Sequence, residues 1–286
     1  MQEYYFLFIL AFIFTTAAVI QDLKSREVAN WINFSFIAFA LAYRAFYAIQ
    51  ISQIKFFALG IAGFVIFFAL AHLLYYSKAF AGGDAKLLMG YGIILPYQNY
   101  SSLPIFTITF ILLLFTIGAL YSLVYSAFIA AKNKEKFKKE FYILFKKYKL
   151  ISIILLLLSL ATIKFTTLSL FFALLFLILI IYIYTKSVDS CMIILTPPSK
   201  LTEGDWLISD VKISKSKTIR KTVHGLSSND IKLLRKSKRK ILIKTGIPFT
   251  PAFLLALILM VSFFLTSAVS PEQIFSSLFS QLFFLS

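Results

Sequence analysis

A chain of 286 residues that is 60% hydrophobic and only 14% charged is too apolar for an ordinary soluble domain, in which about a quarter of the residues carry charge. A net charge of +17 would point to nucleic acid in a soluble protein, but here the basic residues sit between long apolar runs. The single cysteine, Cys191, excludes an internal disulfide and any metal site built on a thiolate cluster.

Crossing a bilayer as a helix takes about 20 largely apolar residues. Taken in chain order, candidate spans fall at 4–20, 31–49, 56–76, 86–103, 105–131, 150–163, 165–184 and 250–268. The first run has no basic segment ahead of it, so it reads as a retained span rather than a cleaved signal. The fourth is interrupted by Pro96 and Asn99, and the sixth is short, so 150–184 also reads as one hairpin with a thin first arm. The expected architecture is an all-α polytopic membrane protein of about six to eight transmembrane helices, with a small cytoplasmic module before the last span. Its expected parts are a membrane core (1–131), a basic loop (132–149), a membrane hairpin (150–184), a basic module (185–247) and a last helix with an apolar tail (248–286).

Basic residues decide the orientation of such a chain. Numbering the loops alternately, one set comprises 21–30, 77–86, 132–149 and 185–247. It holds 26 of the 29 lysines and arginines, leaving Arg44, Lys55 and Lys164 elsewhere. A one-helix error in the count would scramble that sorting. These loops are therefore expected at the cytoplasmic face of the cell membrane, with the N-terminus outside. Arg44 is expected near the outer end of the second span, its head group reaching the lipid head groups. The tail 271–286 is expected at the outer interface.

Segment 185–247 has mixed polarity and turn signals at Thr196-Pro197-Pro198 and Glu203-Gly204-Asp205. A helix is expected over Ser228–Lys240, opened by Ser227-Ser228-Asn229-Asp230 as an N-cap. Its basic end, Arg235 to Lys240, reads as an anchor to anionic lipid head groups. Substrate docking and nucleic-acid binding are the alternatives for this cluster, although no nucleic-acid partner is expected of the protein.

The first 188 residues contain two aspartates, Asp22 and Asp84. Asp22 ends the first apolar run. Asp84 follows the third, after Ala81-Gly82-Gly83. Spans running in the same direction put both carboxylates at one face and depth. Two adjacent carboxylates share a proton, because like charges close together do not both ionise easily. One then takes a proton from water while the other donates to a peptide carbonyl. Taken singly, each aspartate also reads as a helix-end residue: Asp84 capping a helix that begins at Ala85, Asp22 pairing with Arg26 one turn on. His72 reads either as a proton relay or as a packed histidine. No metal-ligand cluster and no phosphate-binding loop is present, so neither metal nor cofactor is expected.

The local sequences are Gln21-Asp22-Leu23-Lys24-Ser25-Arg26-Glu27-Val28-Ala29-Asn30 and Ala81-Gly82-Gly83-Asp84-Ala85-Lys86. They resemble the D-x-K-x-R-x-V-x-N and G-x-G-D-x-K motifs of the type IV prepilin peptidase family, in its archaeal branch of prepilin and preflagellin peptidases. A weaker similarity runs through Leu201–Trp206, Gly225-Leu226-Ser227 and Gly246-Ile247-Pro248-Phe249-Thr250-Pro251-Ala252-Phe253. The resemblance implies a membrane aspartyl endopeptidase that removes short basic leader peptides from pilin-like or archaellin precursors. Asp22 and Asp84 map onto its catalytic aspartates. Lys24, Arg26, Gly82, Gly83 and Lys86 map onto positions that shape the site or bind substrate. The sequence departs from the motif at Ala81, which replaces its first glycine and hardly permits positive φ. Two other classes compete: another GxGD-type intramembrane protease, and a transporter or non-enzymatic membrane protein. The first carries a tyrosine before its first aspartate, where this chain has Gln21. The second would hold its charges at mid-membrane depth.

Overall fold

The computed structural model describes residues 2–202, 204–214, 217–222, 225–237 and 239–266. Glu203, His224, Lys238 and the tail 271–286 therefore lie outside the described residues. Helix dominates, as expected for an all-α polytopic membrane protein. Among the described residues, five helices are long and apolar enough to cross a membrane. The chain divides into two compact units, residues 1–122 with 248–286, and residues 123–247.

The first unit contains α1 (Gln2–Ser25), α2 (Asn30–Gln50), α3 (Ile54–Tyr76), α4 (Gly82–Ile94), α9 (Thr250–Thr266) and the first two-thirds of α5 (Ser102–Lys132). Of these, α1, α2, α3 and α5 have span length, whereas α4 and α9 are shorter. Helix α1 packs against α2, α4 and α9, and α3 packs against α2 and α4. Between membrane helices the drive is close packing, which small residues permit. Gly63 of α3 and Gly92 of α4 make the tightest crossing. A Cβ on Gly63 would come 2.1 Å from the Gly92 carbonyl oxygen, and one on Gly92 would come 2.5 Å from that of Gly63. Because the obstacle is backbone, it cannot rotate away. Gly63→Ala is expected to destabilise this unit by about 1–3 kcal/mol, the usual range for overpacking, read as a lower thermal midpoint in detergent. An unchanged midpoint would refute the crossing.

The expected fourth span, 86–103, is a helix of 13 residues followed by a buried non-helical turn. Pro96 cannot continue a helix, and it disfavours helical geometry at Leu95. Such a turn inside a membrane unit needs protein partners for its carbonyls. Arg44 provides them. Its guanidinium donates to the carbonyls of Ile93 (2.6 Å), Leu95 (2.7 Å) and Phe56 (2.7 Å) and lies over the Phe56 ring. Arg44 is fully buried, which corrects the expectation that it snorkels to the lipid head groups. A cation at the C-terminal end of a helix also suits the helix dipole.

The second unit opens with the end of α5 and two long helices, α6 (Lys134–Ala161) and α7 (Thr166–Cys191). They pack against each other, and the hydroxyls of Ser159 and Ser169 bond across to each other's carbonyls near the hairpin tip. The stretch 132–149, expected as a loop, is helical from Lys134 onward. Lysine and glutamate are good helix formers, and Phe137, Phe141 and Phe145, four residues apart, stack along one face.

Beyond α7 lies a small mixed module. Strands β1 (Ile193–Thr196), β5 (Ile241–Lys244) and β2 (Trp206–Leu207) form an antiparallel sheet in that spatial order. Strands β3 (Val211–Ser214) and β4 (Lys217–Ile219) form a separate hairpin. Helix α8 (Ser228–Ser237) turns Ile231 and Leu234 into a core with Leu201, Leu207, Ile219, Leu226, Ile241 and Ile243. It starts as its sequence predicts: the Asp230 amide donates to Ser227 Oγ at 3.3 Å, and the Ser227 amide donates back to the Asp230 carboxylate at 3.1 Å. The helix is shorter than expected, ending at Ser237.

Candidate active site

Asp22 lies in the last turn of α1 and is buried. The helix stops just after it, because Arg26 takes the left-handed conformation (φ 59°) while its amide still reaches the Asp22 carbonyl at 2.8 Å. Gln21 Oε1 accepts from the Ala29 amide at 2.8 Å, which folds the connection back toward the start of α2.

Asp84 sits in the first turn of α4 and is also buried. The helix begins earlier than expected, at Gly82 with Ala81 as its N-cap residue, so Asp84 is a first-turn residue and not the cap. Ala81 has φ −71°. That is backbone any residue adopts, so the motif's missing first glycine carries no conformational cost here. Neither Gly82 nor Gly83 has positive φ.

The two motifs meet because the α1–α2 connection is tied to the start of α4. A Cβ on Gly83 would lie 3.2 Å from that of Val28, so this position holds the connection close. The Asn33 side-chain amide donates to the Gly83 carbonyl at 3.2 Å, and Lys86 Nζ donates to Asn30 Oδ1 at 2.6 Å. Gly82 is less confined: a Cβ there would meet only the Tyr75 ring, at 3.6 Å. Lys24 and Arg26 are exposed at the rim.

The carboxylates are near enough to sense each other. Asp84 precedes the apolar run of α4 and lies outside the five spans. Burial first, and then the Asp22 charge, push its carboxyl up to about 7, against a smaller lowering by the Ala81 backbone. At neutral pH one proton is therefore available beside an ionisable partner. That is the arrangement needed for coupled general acid–base chemistry on water. No cluster of three or more His, Cys, Asp or Glu side chains that could hold a metal occurs among the described residues.

A third residue, unforeseen as part of the site, completes the contact. Thr250, at the start of α9, donates to Asp22 Oδ2 from both its hydroxyl (2.8 Å) and its amide (3.2 Å). A second layer repeats the same three-helix meeting. Thr15 lies seven residues before Asp22 and Tyr91 seven after Asp84, which is about two turns in each case. Their hydroxyls bond at 2.8 Å, and the Tyr91 hydroxyl donates on to the Phe253 carbonyl of α9 at 3.4 Å. The Thr-Pro pair at 250–251 signals a helix start, but no local pattern links it to a residue 228 positions away. His72 bonds the Phe68 carbonyl of its own helix at 2.9 Å.

Comparison with known proteins bears out the resemblance over residues 9–125. Residues 9–125 match the model of the type IV leader peptidase family. The chain is 31% identical over 140 residues to a preflagellin peptidase of Methanococcus voltae, covering 44% of this chain and 60% of that one. It is 33% identical over 100 residues to the preflagellin peptidase of Methanocaldococcus jannaschii, covering 35% and 41% respectively. The preflagellin peptidase of Methanococcus maripaludis is 31% identical over 90 residues, covering 32% and 37%. The chain thus spans three-fifths or less of the length of these curated relatives. No solved structure matches it.

Proposed function

From a chain whose residues 9–125 match the type IV leader peptidase family, we infer a membrane aspartyl endopeptidase that removes leader peptides from archaellin or pilin-like precursors. The observation that carries this reading is that Asp22 and Asp84 are both buried, at the ends of α1 and α4, near enough for the charge of Asp22 to raise the Asp84 carboxyl. In the proposed reaction, one carboxylate accepts a proton from water as its oxygen attacks the scissile carbonyl. The other donates a proton to the carbonyl oxygen. Collapse of the tetrahedral intermediate then releases the leader, with a proton passing to the departing amine. Lys24, Arg26, Gly82, Gly83 and Lys86 form the rim against which an extended peptide would lie. The sorting of basic residues argues for a cytoplasmic active site and an outside N-terminus. The same rule has the basic residues of 185–247 meet anionic lipid head groups.

The test is a cleavage assay with the protein in liposomes and a full-length archaellin or pilin-like precursor, the product being read by mass. A single cut just ahead of the precursor's hydrophobic helix is expected. An intact precursor, where the Methanococcus voltae enzyme cuts it under the same conditions, would overturn the reading. The pH profile follows from Asp84. Its proton is held below about 7 and lost above, leaving two mutually repelling carboxylates and no acid. Cleavage should therefore fall as pH rises through about 7. A rate that holds level to pH 9 would contradict it.

A further inference from the structure

We propose that Thr250, at the start of α9, is a positioning residue that holds Asp22 as the ionised, water-activating member of the aspartate pair. This rests on the two-aspartate reading above.

The argument begins with where each carboxylate sits. Asp22 is near the C-terminal end of α1, where the helix dipole disfavours an anion, and Asp84 is at the N-terminal end of α4, where the dipole favours one. Helix position alone would thus place the shared proton on Asp22. Thr250 reverses this. Two donors, its hydroxyl at 2.8 Å and its amide at 3.2 Å, converge on the single oxygen Oδ2 of Asp22. Hydrogen bonds donated to a carboxylate stabilise its charged form, and more strongly when buried. Thr250 is fully buried, so water does not compete. The amide opens α9, which brings the favourable end of a second dipole to Asp22.

The remaining charged and titratable groups do not supply this asymmetry. Helix α9 carries none. On α4 the groups besides Asp84 are Lys86, which bonds Asn30, and Tyr91, which bonds Thr15 two turns away. On α2, Arg44 is committed to carbonyls at the far end of the unit. Beyond Asp22 on its own connection, Lys24, Arg26 and Glu27 are exposed. Oδ2 is thereby anchored, and in this proposal Oδ1 is the atom that takes the proton from water. Helix α9 completes a site whose two carboxylates come from α1 and α4.

The test compares Thr250→Val, which keeps shape and amide but lacks the hydroxyl, with Thr250→Ser, which restores it. In the liposome assay Thr250→Val should lower kcat by about tenfold or more with little change in KM. It should also shift the acidic limb of the pH profile upward by about one unit, the loss of one hydrogen bond to a charged group. Thr250→Ser should restore both. A valine variant with unchanged kcat and acidic limb overturns the proposal. So does a serine variant as impaired as valine, because the role is then packing. If the valine variant does not fold, carboxyl-carbon NMR on the unmodified protein decides, with signals assigned by Asp22→Asn and Asp84→Asn. Asp22 must titrate below Asp84, and the reverse order overturns the proposal. Normal cleavage by Asp22→Asn would instead sink the two-aspartate reading itself.

Discussion

Asparagine at either Asp22 or Asp84 is expected to lower leader cleavage by about a thousandfold or more, and the double replacement to do little further damage. Asparagine nearly matches aspartate in size, so a buried site is neither emptied nor overfilled. At position 22 its oxygen can still accept from Thr250. What it cannot do is take a proton from water at position 22 or give one to a carbonyl at position 84. Groups that act as one unit lose most of their effect when either is removed, so the two losses do not add. The measurement is single-turnover cleavage in liposomes, beside the thermal midpoint of each variant. A single variant that cleaves at the normal rate would refute the paired mechanism. Near-normal midpoints would show that the loss is chemical and not a failure to fold. A transporter would show the opposite pattern, with flux changed and leader processing untouched.

Arg44→Ala carries the largest expected effect on stability. The guanidinium is buried and serves three carbonyls, two of them where α4 ends at the Pro96 turn. Two effects oppose each other. Removing a buried charge relieves its desolvation, which is why well-packed apolar replacements for buried ions are sometimes harmless. Alanine, however, leaves the Ile93 carbonyl without its Arg44 donor, at about 1–3 kcal/mol for an orphaned buried group, and strips the charged donor from Leu95 and Phe56, whose carbonyls keep only the Tyr97 amide and the α3 ladder. It also opens a hole beside Gly60, whose added Cβ would lie 2.2 Å from the Arg44 chain. The second effect wins, and the net loss is expected at about 3–5 kcal/mol. That corresponds to a drop of roughly 10 °C in thermal midpoint for a unit of this size. Arg44→Lys should fall between, since one ammonium cannot span three divergent carbonyls. If Arg44→Ala melted with the unmodified protein, the carbonyls would have to find other partners, and the account of the Pro96 turn would fail.

Much of this is legible residue by residue. Long apolar runs reveal spans because no other environment tolerates them. The Ser227 to Asp230 cap is readable because its bonds join residues three apart. Asp22 and Asp84 stand out because carboxylates are scarce beside so much apolar sequence. Arg44 is misplaced by sequence alone for a definite reason. An arginine near a span end reads as a snorkelling cation unless one knows that α4 halts at Pro96 and leaves carbonyls in the interior. The basic stretch 132–149 reads as a loop only while charge is equated with solvent, since lysine and glutamate are also good helix formers.

Composition and motif, being local properties, were enough for a polytopic helical membrane chain, for the sorting of its basic residues and for the choice of two aspartates. Folding alone decided which groups share a site with them. The Thr250–Asp22 bond joins residues 228 apart, and the Gly63–Gly92 crossing joins two helices by backbone contact. Contacts of that kind arise only when helices pack, since their periodicity aligns faces within a helix and says nothing about which helix a face will meet.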